Sequence, residues 1–233
     1  CGDYSSFHAQ PVDPRSTDIE PVVLNYSYGI MINDAGLRFT DEAPGMVDAT
    51  YEEVARLIMT QRHGIAFAVF DAKLEDVENW PVTVRSRVPP IEAESLSELA
   101  SAMGVDERDF LATVEAYNRA CPKSDGFDPL QTDGLSTTGL EPRKSHWAKP
   151  ISQGPFRAWP MICSNCFTFG GVKIDERARV INAEGDAIPG LYAAGEVAGI
   201  YYRVYTGATS VMRGAVTGRL AGSDAALRRN AIG

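Results

Sequence analysis

Long apolar runs, histidines and cysteines are all scarce in this sequence. No stretch of eighteen consecutive apolar residues occurs, so no membrane-spanning helix is expected. Three histidines and four cysteines are too few and too scattered for a disulfide framework or a zinc site, and no metal is expected. Lys and Arg total 22 against 31 Asp and Glu, and the resulting net charge of -9 argues against a nucleic-acid partner.

Two of the cysteines, Cys163 and Cys166, form a CxxC pair. A zinc site would need a second ligand pair. A redox dithiol would need a helix beginning after the first cysteine, whereas a strand-like run, FTFGGVKI, follows. Two reduced thiols beside a strand are therefore favoured, which fits a cytoplasmic location.

The first part of the chain alternates strand and helix patterns. Apolar runs at 28–34 and 37–42 flank Ala35-Gly36, as in a hairpin. Asp48 or Thr50 is expected to cap a helix that Gly64 ends, and a buried strand should follow at 65–73. Ser95 and Asp106 are expected to begin two further helices, the second with an apolar stripe of Phe110, Leu111, Val114 and Tyr117. Residues 122–155, rich in Pro, Gly, Ser and Asp, are interpreted as a long ordered excursion or linker.

The pattern changes after about residue 150. The runs FRAWPMICS, CFTFGGVKID and ARVINAEG predict strands separated by short turns, IPGLYAAGE is a further short apolar run, and a small-residue helix should begin after Thr209. The predicted class is α+β: a mixed part first, then a strand-rich part that ends in one long helix.

Residues 190–222 hold the most informative chemistry. A strand that ends in Ala194-Gly195-Glu196 presents a carboxylate, which suits a pair of sugar-like hydroxyls, beside a glycine with no Cβ to block a ligand. The turn at 206–210 leads into a helix N-terminus, where free N–H groups favour an anion. The same residues also suit an ordinary strand–loop–helix whose small side chains allow close packing.

Two segments, FTFGGVKIDERARVINAEGDAIPGLYAAGEVAG and YTGATSVMRGAVTGRLAG, resemble the fumarate reductase/succinate dehydrogenase flavoprotein family. GLRFTDE, AFAVFDAK and LSELASAMGVDERDFLATVEAYN are similar to further elements of that family, and the likeness is closest to its tricarballylate dehydrogenase-like members. The resemblance implies FAD as the cofactor. It also implies the end of an FAD-binding segment at 1–20, a clamp-like capping domain that binds substrate at 21–150, and the C-terminal part of a Rossmann-like FAD-binding domain at 151–233.

The strand–GxGxxG–helix unit with which such flavoproteins hold the ADP half of FAD is absent from the sequence. The chain also begins without methionine, as a piece of a longer protein would. An N-terminal FAD-binding half is therefore an expected partner. The resemblance assigns Glu196 to the flavin ribityl chain and the backbone of Thr209, Ser210 and Val211 to the isoalloxazine C2=O, and the pocket is expected to include Ala194, Gly195 and Gly207.

The catalytic residues that the resemblance implies depart from fumarate reductases. Val47 takes the place of their arginine proton donor, and their histidine before an Asn-Arg pair has no counterpart in the stretch from Tyr201 to Tyr205. Tyr205 matches the tyrosine of a YPG element in tricarballylate and 3-ketosteroid dehydrogenase-like relatives, and its phenol would polarise a carbonyl or relay a proton. Arg203 would clamp a substrate carboxylate, and His8 would bind one or move a proton. Packing for Tyr205, a surface position for Arg203 and a structural role for His8 are the alternatives.

The resemblance implies hydride transfer between flavin N5 and a carbon of a small-molecule (poly)carboxylic acid, with the cofactor supplying the redox chemistry. One alternative is an enzyme that acts on an apolar ketone such as a ketosteroid. Another is a non-catalytic module that binds a ligand or partner, because the arginine at position 47 and the GxGxxG motif are both missing.

Overall fold

The computed structural model describes residues 5–11, 22–86, 89–124, 126–201, 205, 207 and 209–232. Its strands are β1 (Ser5–Pro11), β2 (Val22–Val23), β3 (Ile30–Asn33), β4 (Ile65–Phe70), β5 (Val84–Arg85), β6 (Ile91–Ala93), β7 (Phe156–Thr168), β8 (Arg179–Ile181) and β9 (Ala187–Tyr192). Its α-helices are α1 (Val47–Thr60), α2 (Leu96–Met103), α3 (Glu107–Ala120) and α4 (Thr209–Ile232). The architecture is mixed α and β, as the sequence predicts at that level.

The chain forms two compact units, one of His8–Ser164 and one of Cys1–Phe7 with Asn165–Gly233. The assignment of residues 21–150 to a capping domain stays a prediction. No helix in the described part of the chain combines the length and the apolar character that a bilayer crossing requires.

A sheet with the strand order β1-β7-β4-β3 runs through the first unit, and β6 also pairs with β7. The β3–β4, β4–β7 and β6–β7 pairs are antiparallel. Strand side chains pack against α2 and α3 in a buried apolar cluster that includes Ile30, Ile32, Phe67, Val69, Leu99, Phe110, Val114 and Tyr117. The predicted stripe of α3 thus faces the core, with Leu111 partly buried at its edge.

Local capping explains why α2 and α3 begin where the sequence predicts. The hydroxyl of Ser95 accepts the Glu98 N–H while the Glu98 carboxylate accepts the Ser95 N–H, so each side chain satisfies a backbone donor at the start of α2. Gly104, in the left-handed conformation with φ of 70°, ends α2. The carboxylate of Asp106 accepts the Asp109 N–H and caps α3.

The expected cap of α1 is wrong. The helix begins at Val47, after an extended Met46 that makes no side-chain cap. Asp48 and Thr50 therefore lie inside the first turn, where the Thr50 hydroxyl donates to the Met46 carbonyl. Gln61, rather than Gly64, follows the last residue of α1, and residues 62–64 form a separate 3-10 turn.

The expected second strand at 37–42 is also wrong. After the turn at Ala35-Gly36, only Arg38 bridges back to Ile32. The segment leaves the ladder because Arg38 forms a buried pair with Glu42, whose carboxylate also accepts the Met31 N–H. The Met31 N–H of β3 therefore bonds to a side chain rather than to a neighbouring strand.

Residues 122–155 were predicted to be an ordered excursion or linker. They contain no helix or strand over 126–155, but several of their side chains are buried in this unit. Trp147, 1% exposed, donates its indole N–H to the Asp128 carbonyl, and Lys144 is fully buried. Of the two strands predicted at 156–164 and 166–175, the first continues through both cysteines as β7 and ends at Thr168. The rest of the second predicted strand is wrong, because residues 169–175 form only isolated bridges at Val172 and Ile174. Burial raises the pKa of the Cys163 thiol to about 11, and no helix begins after it, so the structure gives no support to a redox dithiol.

Candidate functional site

The residues assigned to the flavin lie in the unit that contains 165–233. Ala194, Gly195 and Glu196 follow β9, and a 3-10 turn spans Gly195–Val197. Gly207 precedes α4, and Thr209, Ser210 and Val211 form its first turn. Arg203 and Thr206 lie outside the described residues, and His8 lies in β1, where the structure describes only the backbone.

Gly195 connects the end of β9 to α4. Its N–H donates to the Thr217 hydroxyl oxygen at 3.0 Å, and that hydroxyl donates to the Arg213 carbonyl at 2.6 Å. The φ of Gly195 is +70°, in the left-handed region that favours glycine. The contact supports the close-packing interpretation of this glycine, and it also fixes the backbone from which the next residue, Glu196, projects. The ligand interpretation stays a prediction.

Glu196 is exposed and held through one of its two carboxylate oxygens. Its Oε1 accepts the Thr168 N–H at 3.0 Å and the Thr168 hydroxyl at 3.2 Å. Among the described residues, Oε2 has no protein donor. The carboxylate is thus oriented by the end of β7 and keeps one oxygen for a hydroxyl group of a ligand.

A close backbone approach explains Gly171, the second glycine of the pair after β7. The Val172 N–H donates to the Val197 carbonyl at 2.8 Å, and the Gly199 N–H donates to the Val172 carbonyl at 3.1 Å. A Cβ on Gly171 would lie 2.2 Å from the Val197 carbonyl oxygen. The GG segment and the segment after Glu196 therefore form one structural element, which explains why both carry glycine.

Two tyrosines contact the N-terminus of α4. The Tyr205 phenol lies 3.0 Å from Ser210 Oγ and accepts the Ser210 N–H at 3.3 Å. The Tyr201 phenol donates to the Thr209 hydroxyl at 2.6 Å, and the two rings meet edge to face with centroids 5.5 Å apart. The structure therefore brings together three of the predicted residues, Tyr205, Thr209 and Ser210.

Sequence reasoning missed Arg213, Tyr201, Thr217 and Thr168. Arg213 is 7% exposed, and its guanidinium carbon lies 4.6 Å from the centre of the Tyr201 ring. Its buried positive charge lies one turn inside α4 and adds to the positive end of the helix dipole. The sequence signal that could have found Arg213 is its position among small residues, four residues after the predicted start of the helix.

The far end of α4 is anchored to the β8–β9 hairpin. Tyr192 donates to the Asp224 carboxylate at 2.8 Å, and Arg228 donates to the same carboxylate at 3.1 Å. The Tyr192 hydrogen bond is the main cause that holds the pKa of Asp224 below its usual range. These contacts hold the second half of α4 against the β8–β9 hairpin.

The arrangement fits a flavin and offers little to a metal. Among the described residues no cluster of three or more His, Cys, Asp or Glu side chains could hold a metal ion. The site offers a carboxylate oxygen that no described protein group donates to, two glycines, and a helix N-terminus next to a buried arginine. These features match a ligand with hydroxyls and an electron-rich carbonyl edge. FAD has both features.

Comparison with known proteins agrees with this chemistry. A family model described as the FAD binding domain matches residues 26–211. The chain is 32% identical over 200 residues to NADH:acrylate oxidoreductase of Vibrio harveyi, covering 84% of this chain and 18% of that protein. It is also 32% identical over 200 residues to NADH:fumarate oxidoreductase of Klebsiella pneumoniae, covering 85% of this chain and 20% of that protein. The chain thus spans about a fifth of the length of these two relatives.

The chain is also similar in fold to a solved structure. The 3-ketosteroid-delta4-(5alpha)-dehydrogenase from Rhodococcus jostii, solved with 4-androstene-3,17-dione, superposes with a TM-score of 0.61 at 28% identity. The superposition covers 95% of this chain and 41% of that one. The mixed α and β fold of this chain is therefore shared with this dehydrogenase.

Proposed function

Because the chain belongs to the FAD binding domain family, we propose that it forms part of an FAD-dependent oxidoreductase acting on a carbon–carbon bond of a carboxylic acid. FAD supplies the redox chemistry when bound, by exchanging a hydride at N5 with a substrate carbon. The observation that carries the proposal is the placement of Glu196 and the α4 N-terminus in one unit, joined through the contact of Gly195 with Thr217.

Glu196 is proposed to accept a ribityl hydroxyl at Oε2, because Thr168 already holds Oε1. Of the three backbone positions that the resemblance assigns to the isoalloxazine, the Ser210 N–H already donates to the Tyr205 phenol at 3.3 Å. The N–H groups of Thr209 and Val211 are therefore proposed to face the C2=O edge. The positive helix end stabilises negative charge there by about 0.3–1 kcal/mol. The buried Arg213 contributes in the same direction.

A tricarballylate dehydrogenase-like substrate remains our first proposal for specificity. It is supported by the YTG segment at Tyr205 and by two relatives whose names specify acrylate and fumarate, both carboxylates. Tyr205 would hold or move a proton at its phenol, which Ser210 orients. Arg203 would clamp a substrate carboxylate, and His8 would bind one or move a proton.

An apolar ketone is the second candidate. The half-buried rings of Tyr201 and Tyr205, with centroids 5.5 Å apart, form a small aromatic surface beside α4, and the fully buried ring of Phe169 supports Tyr201 at 5.9 Å. A flat apolar substrate would pack on such a surface. The likeness to a ketosteroid dehydrogenase supports the same alternative.

We propose that the ADP half of FAD is held by a strand–GxGxxG–helix unit on an N-terminal half, because the printed sequence has no such motif. Coexpression of this chain with the upstream half of its parent reading frame, followed by a visible spectrum, tests the assignment. A flavin absorption band that copurifies with both halves is expected, and a colourless complex would refute it. Turnover of tricarballylate against a 3-ketosteroid then separates the two substrate classes.

A further inference from the structure

The long helix α4 has its polar and apolar faces reversed. Its buried side chains over 209–228 are polar or charged, namely Arg213, Thr217 and Asp224. Its exposed side chains include five large apolar ones, namely Val211, Met212, Val216, Leu220 and Leu227. A helix at the surface of a complete domain shows the opposite pattern, with apolar residues inside and polar residues outside. The reversal is expected when a second surface covers the outer face of the helix.

Exposed apolar side chains are concentrated in the unit that contains α4. Of the fifteen large hydrophobic side chains that are exposed among the described residues, ten lie within 165–233. On α4, Val211 is 76% and Leu227 70% exposed, and the helix between them is about 24 Å long. Arg219 is the only charged residue among the exposed positions of α4 over 209–228. An apolar surface of this extent, with so little charge, is typical of an interaction site.

Three glycines, Gly214, Gly218 and Gly222, recur in α4 at intervals of four residues. Glycine inside a helix is unfavourable compared with alanine, because it adds backbone entropy to the unfolded chain. Outside the helix itself, no described residue lies within 4 Å of a Cβ added at Gly218 or Gly222. The packing of this chain therefore does not require glycine at these two positions. Another backbone that lies close against the helix would require it, because small residues let two backbones approach closely.

The position of this face beside the proposed flavin site indicates what covers it. The face begins at Val211 and Met212, in the first turn of α4, which is the turn assigned to the isoalloxazine. FAD is one molecule, so the polypeptide that holds its ADP half must lie near that turn. The relatives to which this chain is similar are more than twice as long as the part that it covers, so they contain enough further chain to supply such a polypeptide. A second copy fits less well, because two-fold pairing of α4 would bring two Arg219 side chains together near its centre.

We propose that the outer face of α4 is the surface on which the upstream, ADP-binding half of the parent polypeptide docks, with one of its backbone segments lying against Gly218 and Gly222. The proposal rests on the proposed function, which assigns the ADP half of FAD to that upstream half. Apolar side chains of the upstream half meet Met212, Val216 and Leu220, which follow one side of the helix at four-residue spacing. Burial of this apolar surface drives the association, and the glycines set how closely the two segments approach.

Affinity capture tests this docking surface. The upstream half carries the tag and is coexpressed with the chain, and the amount of chain recovered is measured together with the flavin absorbance. Gly218→Leu and Gly222→Leu should each lower the recovered amount by about tenfold or more, because the new side chains fill the space that the partner backbone occupies. Ala112→Leu, at an exposed position of α3, is the matched control and should be recovered like the parent. Undiminished recovery of both glycine variants, or no recovery of the parent chain, would overturn the proposal.

The purified chain alone gives the complementary measurement. Leucine is a better helix former than glycine and meets open space at both positions, so the urea midpoint of each variant should equal or exceed that of the parent. A lower midpoint would show that the chain itself packs there. A parent dimer that the variants convert to a monomer in size-exclusion chromatography would assign the face to a second copy, and either result overturns the proposal. If neither glycine variant folds, Met212→Lys and Leu220→Lys place a charge on the same face, and the same loss of recovery is expected.

The flavin absorbance separates this proposal from the proposed function. A colourless complex that the glycine variants disrupt would support the docking surface and refute the flavin assignment. A yellow complex that the same variants leave intact would support the flavin assignment and refute the docking surface.

Discussion

The phenol of Tyr205 lies 3.0 Å from the Ser210 hydroxyl oxygen and accepts the Ser210 N–H at 3.3 Å. Tyr205 thus satisfies one of the backbone donors that the start of α4 leaves without a helical partner. These two hydrogen bonds hold the phenol in one orientation, because both would be lost if the phenol turned away from Ser210. A tyrosine held in this way is suited to proton transfer. The side chain of phenylalanine would lack both the phenol proton and the acceptor of the Ser210 N–H.

Tyr205→Phe is expected to lower turnover of the flavin-loaded enzyme by about 10²-fold or more, the usual effect of losing a positioned acid or base. Its affinity for FAD should change little, because the ring remains and no proposed flavin contact uses the phenol. Steady-state turnover and a flavin titration on the same preparation measure both quantities. Tyr192→Phe is the matched control, since it removes a phenol that bonds to Asp224 at the other end of α4. Full turnover by Tyr205→Phe would assign that residue to packing.

Glu196→Gln should weaken FAD binding by about tenfold or more, the cost of losing a hydrogen bond to a charged acceptor. The amide oxygen can still accept from Thr168, but the second carboxylate oxygen becomes a donor that cannot accept a hydroxyl. Glu184→Gln, exposed in the turn between β8 and β9, changes the same charge away from the site. Flavin fluorescence titration compares the three proteins. An equal loss of FAD affinity in both variants would show that the effect comes from the change in net charge and not from the position of Glu196.

Elements with local signals were predictable from the sequence. Ser95, Gly104 and Asp106 act on backbone groups within a few residues, and they mark the bounds of α2 and α3 correctly. The strand β4 and the turn between β8 and β9 were predicted for the same reason, because alternation and turn residues are read over short windows.

Contacts between distant segments were not predictable. Glu196 is held by Thr168, 28 positions earlier, and Lys144 reaches a carbonyl 117 positions away at Ser27. No spacing rule connects such pairs. The segment 37–42 was misassigned as a strand for a different reason. Arg38 and Glu42 are only four positions apart, but a periodic pattern does not register that their ion pair is buried.

Gly171→Ala should destabilise the protein by about 1–3 kcal/mol, the typical cost of overpacking. The added Cβ would lie 2.2 Å from the Val197 carbonyl oxygen, and main chain cannot swing aside as a side chain can. Gly170→Ala is the neighbouring control, because nothing lies within 4 Å of its added Cβ, and it should stay within about 0.5 kcal/mol. Urea unfolding of the two variants gives the comparison. Equal stability would contradict the close approach of the two segments.

Lys144 is a buried lysine whose charge depends on pH in an accessible range. Its ammonium donates to the carbonyls of Ser27 and Gly29 at 2.6 and 2.5 Å, and lies 4.0 Å from the Glu42 carboxylate. Burial lowers the pKa of Lys144 from 10.5 to about 8, an effect that Glu42 opposes in part. Between about pH 8 and 10.5 the unfolded chain therefore keeps a proton that the folded chain has lost.

The free energy of unfolding should consequently rise with pH across that window, by at most about 1.4 kcal/mol per pH unit from this residue, and should be insensitive to Lys144 below it. Lys144→Met removes this slope and also deprives two buried carbonyls of their donor, so it should be less stable at pH 7 by about 2–4 kcal/mol. Lys123→Met, at an exposed lysine, should reproduce the parent in both respects. Urea unfolding at pH 7, 8, 9 and 10 measures the difference in the free energy of unfolding between the parent chain and each variant. The contributions of other titrating groups cancel in this difference. A parent chain and a Lys144→Met variant with parallel pH profiles would show that Lys144 stays charged throughout.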